Sequence, residues 1–163
     1  MKSFKQFITE EKEEIIIPKV HMWAALLSGD YWQIQAALRS PHHTKEHIDW
    51  AMKHKELWVV EAALRSPHHT KEHVDLAMKH SYILVLRAAL ESPHHTKEHV
   101  DLGIKHPNPN VVAAALHSPH TTKEQISGVI ERWSDKQYSV GGWLANQAQR
   151  VLDRRNNNES QQS

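Results

Sequence analysis

Histidine is the residue type whose frequency and spacing most suggest chemistry in this chain. The sequence has 15 histidines among 163 residues and no cysteine. A neutral imidazole carries one donor and one acceptor nitrogen, so it can bind a metal, transfer a proton or cap a helix. Twelve of the histidines recur in three sets with the same internal spacing: His42, His43, His47, His54; His68, His69, His73, His80; and His94, His95, His99, His106.

The spacing of these histidines does not favour a metal site. Zinc ligands must converge at about 2.0–2.1 Å, whereas equivalent rings on neighbouring helices lie on the order of 8–10 Å apart. His43 precedes the helix that Thr44 is predicted to cap, so its ring need not meet that of His47. The string His-Thr-Lys-Glu-His also differs from the zinc-protease motif. We predict turn and capping roles, no metal and no cofactor, with weak metal binding as the alternative.

A 26-residue repeat accounts for the histidine spacing. Ser40–Arg65, Ser66–Glu91 and Ser92–His117 align without gaps, and a further unit begins at Ser118. Subtracting 26 extends the pattern back to a degenerate first unit at residues 14–39. A short fixed period is typical of a solenoid, in which each unit buries its apolar face only by stacking on its neighbours.

Each unit predicts two short helices. Thr44 is a suitable N-cap, and Glu46 then lies in the first turn, where a negative charge suits the helix dipole. The apolar stripe of this first helix follows at i, i+3 and i+4, as Ile48, Ala51 and Met52. A second helix over about Leu57 to Arg65 is apolar nearly all round, so it is expected to lie between neighbouring units.

The two ends of the chain differ from the repeats. We divide the chain into a docking peptide at 1–13, a repeat array at 14–133, a loop with a capping helix at 134–155, and a tail at 156–163. The apolar positions of the capping helix are Leu144, Ala148, Val151 and Leu152. The tail has no apolar residue, which predicts disorder. The predicted fold is therefore all-α, an α-solenoid of about five 26-residue two-helix repeats with a C-terminal capping helix.

The repeat unit resembles a known helical family. The stretch HPNPNVVAAALHSPHTTKEQI at His106–Ile126 is similar to leucine-rich repeat variant proteins and their HEAT-like relatives, and the resemblance covers about residues 20–130. It implies a right-handed superhelix of short helices that presents a concave or edge surface to a macromolecule, and it implies no particular activity. This chain places His-His where the family more often has Asn or Asp.

The N-terminal peptide MKSFKQFITEEKEE carries a separate signal. Phe4, Phe7 and Ile8 are spaced i, i+3, i+4, so a short helix would present one apolar face for docking. The peptide resembles the capsid-targeting peptide of internal head proteins in large tailed phages of the T-even type. Those peptides end in a Leu/Ile-x-Glu site cut by the prohead protease, which implies cleavage after Glu10 in the triplet Ile8-Thr9-Glu10. The alternative is an ordinary amphipathic helix that caps the repeats.

Composition excludes several functions. Lys and Arg total 20 against 19 acidic residues, a net charge of +1, which argues against a generic polyanion binder. No apolar run approaches the roughly 18 residues that would cross a membrane, and no secretory signal is evident. The sequence has no Gly-rich phosphate loop and no nucleophile elbow. We therefore expect no catalytic residue and no small-molecule substrate.

The combined expectation is a non-enzymatic protein-interaction solenoid of a large tailed phage. Its partner would be a host factor or the phage head scaffold, in the virion head interior or the host cytoplasm. The alternatives are a cytoplasmic adaptor or inhibitor and, with weaker support, a DNA-associated HEAT-like protein. The candidate binding residues recur at the turn and first helix of each middle unit: His42, His43, Lys45, Glu46, Asp49; His68, His69, Lys71, Glu72, Asp75; and His94, His95, Lys97, Glu98, Asp101.

Overall fold

The computed structural model describes residues 19–134 and 140–161, and every regular element in these two ranges is helical. A 3-10 turn at Lys19–His21 precedes ten α-helices in the described residues. They are α1 Met22–Leu27, α2 Tyr31–Arg39, α3 Lys45–Ala51, α4 Leu57–Leu64, α5 Lys71–Ala77, α6 Ile83–Glu91, α7 Lys97–Lys105, α8 Pro109–Leu116, α9 Lys123–Ser134 and α10 Val140–Ser160. The predicted all-α class is confirmed.

Helices one repeat apart lie side by side. The second helices of successive units pack in chain order, α2 against α4, α4 against α6, and α6 against α8, after which α8 packs against α10. Each first helix (α3, α5, α7 and α9) packs against the helix that follows it. The apolar core therefore runs along the second helices and is covered on one side by the first helices.

The predicted apolar positions form this core. Ile48 and Ala51 of α3 are fully buried, and so are their equivalents Val74, Ala77 and Val100. On α4 the buried side chains are Val59, Val60, Ala63 and Leu64. The second helix is thus buried on the sides that meet its neighbours, as its near-uniform apolar character predicts.

The described ends of the array are closed by different means. Val59, Val85 and Val111 are fully buried where one second helix meets the preceding one, but α2 has the exposed Gln33 at this position. At the other end α10 packs against α8 and α9 and buries Leu144 and Ala148 completely. A helix thus covers the apolar face of the last unit, whereas the first unit has a polar residue on α2 and still exposes Trp23 and Leu27 of α1.

The prediction of disorder from residue 156 is wrong over the described part of the tail. Helix α10 continues to Ser160, and α9 itself extends to Ser134. A helix already anchored by packing gains one hydrogen bond for each residue added, so a polar sequence can prolong it. An ion pair 2.5 Å long between Lys123 Nζ and Glu159 Oε2 also ties the end of α10 to α9. Residues 135–139 of the predicted loop lie outside the described residues.

None of the helices in residues 19–134 and 140–161 combines the length and the apolar composition needed to cross a bilayer.

Of Gly103 and Gly128, Gly103 has the closer neighbours on other helices. A Cβ at Gly103 would lie 2.9 Å from Ala115 Cβ and 2.9 Å from Leu90 Cδ1, whereas a Cβ at Gly128 would meet nothing within 4 Å. We expect Gly103→Ala to unfold more easily than the parent, because overpacking costs roughly 1–3 kcal/mol and outweighs the helix propensity gained, about 0.5–1 kcal/mol.

The matched control is Gly128→Ala, which gains the same propensity without the clash and should be more stable than the parent. Urea unfolding followed by circular dichroism measures both variants. Equal stabilisation by the two substitutions would show that α7 and α8 are not in close contact.

Candidate functional site

In each middle unit, the histidine directly before the threonine N-cap is buried or half-buried. His43 is 2% exposed and His69 is 5% exposed, and His95 is half-buried at the equivalent position. We refer to these three residues as the buried histidine row. Each ring bonds through Nδ1 to the serine carbonyl three residues earlier and through Nε2 to the serine hydroxyl of the next unit. For His69 the two distances are 2.5 Å to Ser66 O and 2.6 Å to Ser92 Oγ.

The partners of the buried histidine row determine its tautomer. A carbonyl oxygen can only accept, so Nδ1 carries the proton and the neutral Nε2 accepts from the serine hydroxyl. Ser92 Oγ in turn accepts the backbone N–H of His94 at 3.0 Å. Burial is the main cause that lowers the pKa of His43 and of His69 below the ordinary value of 6.5, and it outweighs the opposing effect of the serine carbonyl. His43 and His69 therefore join units through neutral rings.

A second row of histidines caps the first helices. His47, His73 and His99 are the N3 residues of reciprocal capping boxes with Thr44, Thr70 and Thr96, and we call these three the capping histidine row. In each, the threonine backbone N–H donates to Nδ1, at 2.8–3.0 Å. Nδ1 must accept, so in the neutral ring Nε2 carries the proton. Burial lowers the pKa of His47.

The capping histidine row also joins successive units. His73 Nε2 donates to Asp49 Oδ1 and His99 Nε2 donates to Asp75 Oδ1, each at 2.7 Å. Gln125 occupies the same position in the next unit, where its Oε1 accepts the Thr122 backbone N–H at 2.8 Å and its Nε2 donates to Asp101. The glutamine amide oxygen accepts where Nδ1 of the ring accepts, and the amide N–H donates where Nε2–H of the ring donates. Either side chain can therefore replace the other.

Both rows are closed at their ends by other side chains. At the start, Trp23 stands where later units have aspartate, and its ring lies 4.6 Å from that of His47. At the end, Thr121 replaces the buried histidine and donates to Ala115 O at 2.5 Å. Arg155 of α10 then donates to Ser118 O at 2.8 Å and to Thr121 O. The bond to Ser118 O replaces the one that a histidine Nδ1 makes to the equivalent serine carbonyl in earlier units.

The predicted binding residues fall into a buried set and an exposed set. His43 and His69 lie in the interior, and His95 and Asp101 are half-buried. The exposed members are His42, His68, His94, Lys45, Glu46, Lys71, Glu72, Lys97 and Glu98, with Asp49 and Asp75 at the edge of the surface. The exposed rings pack on the buried row, with His43 and His68 centroids 4.5 Å apart. Phe4, Phe7 and the triplet Ile8-Thr9-Glu10 lie outside the described residues.

The charges on the first helices are largely paired. Lys45 Nζ lies 3.0 Å from Asp49 Oδ1, and Lys71 Nζ lies 2.9 Å from Asp75 Oδ2. The hydrogen bond from His73 is the main cause that lowers the pKa of Asp49, and the bond from Lys71 has this role for Asp75. Lys45 and Lys71 are thus neutralised by aspartates four residues on, rather than by the glutamates beside them.

The serine–histidine pairs resemble a nucleophile and its base, but they are closed to substrate. Ser66, Ser92 and Ser118 are each at most 3% exposed, and each hydroxyl also accepts a backbone N–H. A catalytic serine needs an open approach for the group it attacks. Within residues 19–134 and 140–161, no three His, Asp or Glu side chains are grouped so that they could hold a metal ion. The buried and capping histidine rows therefore connect units.

Aromatic side chains line an open groove on the opposite side of the first two units. Tyr31 and Trp58 are in ring contact at 4.8 Å, and Trp32 meets Tyr31 edge-on at 5.0 Å. Tyr31 is 42% exposed and Trp32 is 73% exposed. The groove between α2 and α4 has a volume of about 210 Å³, and Arg39 and Arg65 lie beside the two rings. We call this feature the aromatic groove.

Neither the aromatic groove nor the hydrogen bonds of Arg155 are among the features predicted from the sequence. One signal was present for the groove: five of the nine Trp and Tyr residues occur between Trp23 and Trp58. The repeat alignment also places Trp32 and Trp58 in register and Arg39 and Arg65 in register. For Arg155 no sequence signal existed, because its partners are backbone carbonyls 34 and 37 residues away.

No family model matches the chain, and no curated protein or solved structure matches it either.

The equivalence of His73 and Gln125 leads to a substitution test. His73→Gln keeps an acceptor for the Thr70 backbone and a donor for Asp49, so we expect it to stay within about 1 kcal/mol of the parent. His73→Leu leaves the Thr70 backbone N–H without its partner and removes the bond to Asp49, which keeps only Lys45, so we expect a loss of about 1–3 kcal/mol. Urea unfolding measures both.

The control for this pair is the exposed His68, where Gln and Leu should behave alike. If His73→Gln were as destabilising as His73→Leu, the ring would be acting by its shape and not by its two hydrogen bonds.

The lowered pKa values of His43, His47 and His69 predict the direction of pH dependence. The unfolded chain takes up protons near 6.5, whereas the folded chain does so only at lower pH, so acidification favours unfolding. We expect the thermal midpoint to fall from pH 7.5 to pH 5.5. Asp49 and Asp75 do not oppose this trend, because their lowered pKa values place their titration below 3.8.

Thermal unfolding by circular dichroism at intervals of pH measures this trend, with His42→Gln as a control that should keep the slope of the parent. A midpoint independent of pH over this range would contradict the role of neutral rings.

Proposed function

We propose that the chain is a non-enzymatic protein-binding α-solenoid, with about five 26-residue two-helix repeats and a C-terminal capping helix. The consecutive packing of α2, α4, α6, α8 and α10 supports this arrangement. In a solenoid each unit contacts only its neighbours and the terminal units differ from the rest. Gln33 at one end and Arg155 at the other are differences of this kind.

The exposed aromatic surface of the first two units is the observation that carries protein binding. On α2, Tyr31 is 42% exposed and Trp32 is 73% exposed, and their rings are in contact. On α1, Trp23 is 44% exposed and Leu27 is 66% exposed. Large apolar side chains grouped on a surface mark interaction sites, and Trp, Tyr and Arg contribute strongly to protein interfaces. Later units also expose large apolar side chains, which are Leu76, Tyr82, Leu84 and Leu102, but of these only Tyr82 is aromatic.

The proposed location is the head of a large tailed phage. The support is the N-terminal sequence, in which Phe4, Phe7 and Ile8 would dock on the head scaffold and cleavage would follow Glu10. The mature chain would then enter the host with the genome and bind a host protein. A cytoplasmic adaptor or inhibitor with the same binding surface is the alternative. A DNA-associated role has less support, because Lys45 and Lys71 are paired with aspartates.

Mass spectrometry of purified virions tests the packaging proposal. We expect a chain that begins at Glu11 in particles and a chain that begins at Met1 in infected-cell lysate. Glu10→Gln removes the carboxylate of the cleavage site and should leave packaged chains intact, whereas Glu13→Gln is the control and should be processed normally. An unprocessed chain found in lysate and never in particles would exclude packaging and favour the adaptor.

A further inference from the structure

The aromatic groove has the size of one side chain and lacks the depth of a cofactor site. Its volume of about 210 Å³ falls below the roughly 300–1,000 Å³ of pockets that enclose drug-sized ligands. Its apolar wall is formed by Tyr31 and Trp58. Gln35 Nε2 donates to the Tyr31 hydroxyl at 3.0 Å, which fixes the orientation of that hydroxyl at the mouth of the groove.

The two arginines of the groove differ in their pairing. Arg65 Nη2 lies 2.8 Å from Glu61 Oε1, so this pair is internally neutral. Arg39, one repeat earlier, is exposed and makes no ion pair with a carboxylate of the described residues. A guanidinium offers a planar set of N–H donors that matches a carboxylate. Among the described residues, the groove therefore joins an apolar wall to one arginine without a carboxylate partner.

We propose that the aromatic groove binds an acidic peptide segment of a partner protein, in which an Asp or Glu lies next to an apolar side chain. The apolar side chain packs against the joined rings of Tyr31 and Trp58, and the carboxylate pairs with Arg39. Trp32 extends the contact surface at the rim. This inference rests on the proposed protein-binding function and specifies the chemistry of its ligand.

A monoanionic carboxylate fits better than a phosphate. Arg39, Arg65 and Glu61 together carry one net positive charge, which a single carboxylate neutralises. A dianionic phosphate would leave excess negative charge beside Glu61, and like charges placed together are unfavourable.

The register of the repeats shows how the later units differ at the positions that form this groove. The position of Trp32 and Trp58 is occupied by Leu84 and Asn110 in later units, and that of Arg39 and Arg65 by Glu91 and His117. The aromatic wall and the cation are thus both lost after the second unit. Binding confined to the first two units is the result expected from this difference.

Selection from a displayed library of random 12-residue peptides tests the proposal on the full chain. We expect enriched sequences in which Asp or Glu lies within two positions of an aliphatic or aromatic residue. A labelled peptide from this set is then titrated by fluorescence anisotropy. Arg39→Glu should weaken binding by about tenfold or more, and changing the peptide carboxylate to an amide should have a similar effect.

The variants are chosen so that folding does not decide the outcome. Trp58 packs partly against the core, so Trp58→Ala is accompanied by the surface variants Arg39→Glu and Trp32→Ala, all of which should weaken binding. Trp143→Ala and Arg154→Glu alter an exposed Trp and an exposed Arg on α10 and should bind like the parent. Circular dichroism confirms that each variant is folded.

Several results would overturn the proposal. These are no enriched peptide, enriched peptides without a carboxylate, binding unchanged by Arg39→Glu, or tighter binding of the matching phosphopeptide or of a DNA oligonucleotide. Sedimentation showing a dimer that Arg39→Glu dissociates would assign the groove to a second copy instead. Peptides that bind but are insensitive to the groove variants would leave the protein-binding function intact and reject this site alone.

Discussion

The contact on which the described fold depends is a neutral imidazole that donates from one nitrogen and accepts at the other. A buried polar group is costly unless it is hydrogen-bonded, and a histidine between two units has to satisfy both nitrogens at once. His69 does so between Ser66 and Ser92, and His73 does so between Thr70 and Asp49. Each ring holds its own unit with one nitrogen and a neighbouring unit with the other.

This requirement also explains where histidine is replaced. The capping position accepts glutamine, because Gln125 has the same order of acceptor and donor as the Nε2-protonated ring. At the end of the array, the histidine of the buried position is not replaced by a side chain with the same acceptor and donor. There Thr121 donates its hydroxyl to Ala115 O of the preceding unit, and Arg155 supplies the missing donors from α10. The hydrogen bonds are conserved in kind although the residues change.

The two helices of each unit carry different tasks. The first helices hold the histidine rows and the Lys–Asp pairs, so most of their polar groups are used within the protein. The second helices form the core through Val, Ala and Leu and leave one side free. The middle units are nearly identical in sequence, so specificity can arise only where units differ. That difference is largest in the first two units, where the aromatic groove lies.

Much of the fold could be predicted because its determinants are local and periodic. The 26-residue period, the threonine N-caps, the Ile48–Ala51 stripe and the second helix near Leu57 each depend on a few adjacent residues or on exact repetition. The binding site could not be predicted in the same way. Recurrence identifies the histidines and charges of the first helices as candidate binding residues, but recurrence also marks residues that hold the units together.

The sequence by itself thus determined the period, the helices and the apolar positions, since hydrogen bonding within a turn and burial on one helix face are properties of neighbouring residues. Only the tertiary structure decided which histidines are buried, which nitrogen of each carries the proton, and which carboxylate or serine it meets 23 or 24 residues away. The same holds for Arg155 and for the groove between α2 and α4. These features depend on the distance and angle at which separate helices pack, and no local pattern of residues encodes that geometry.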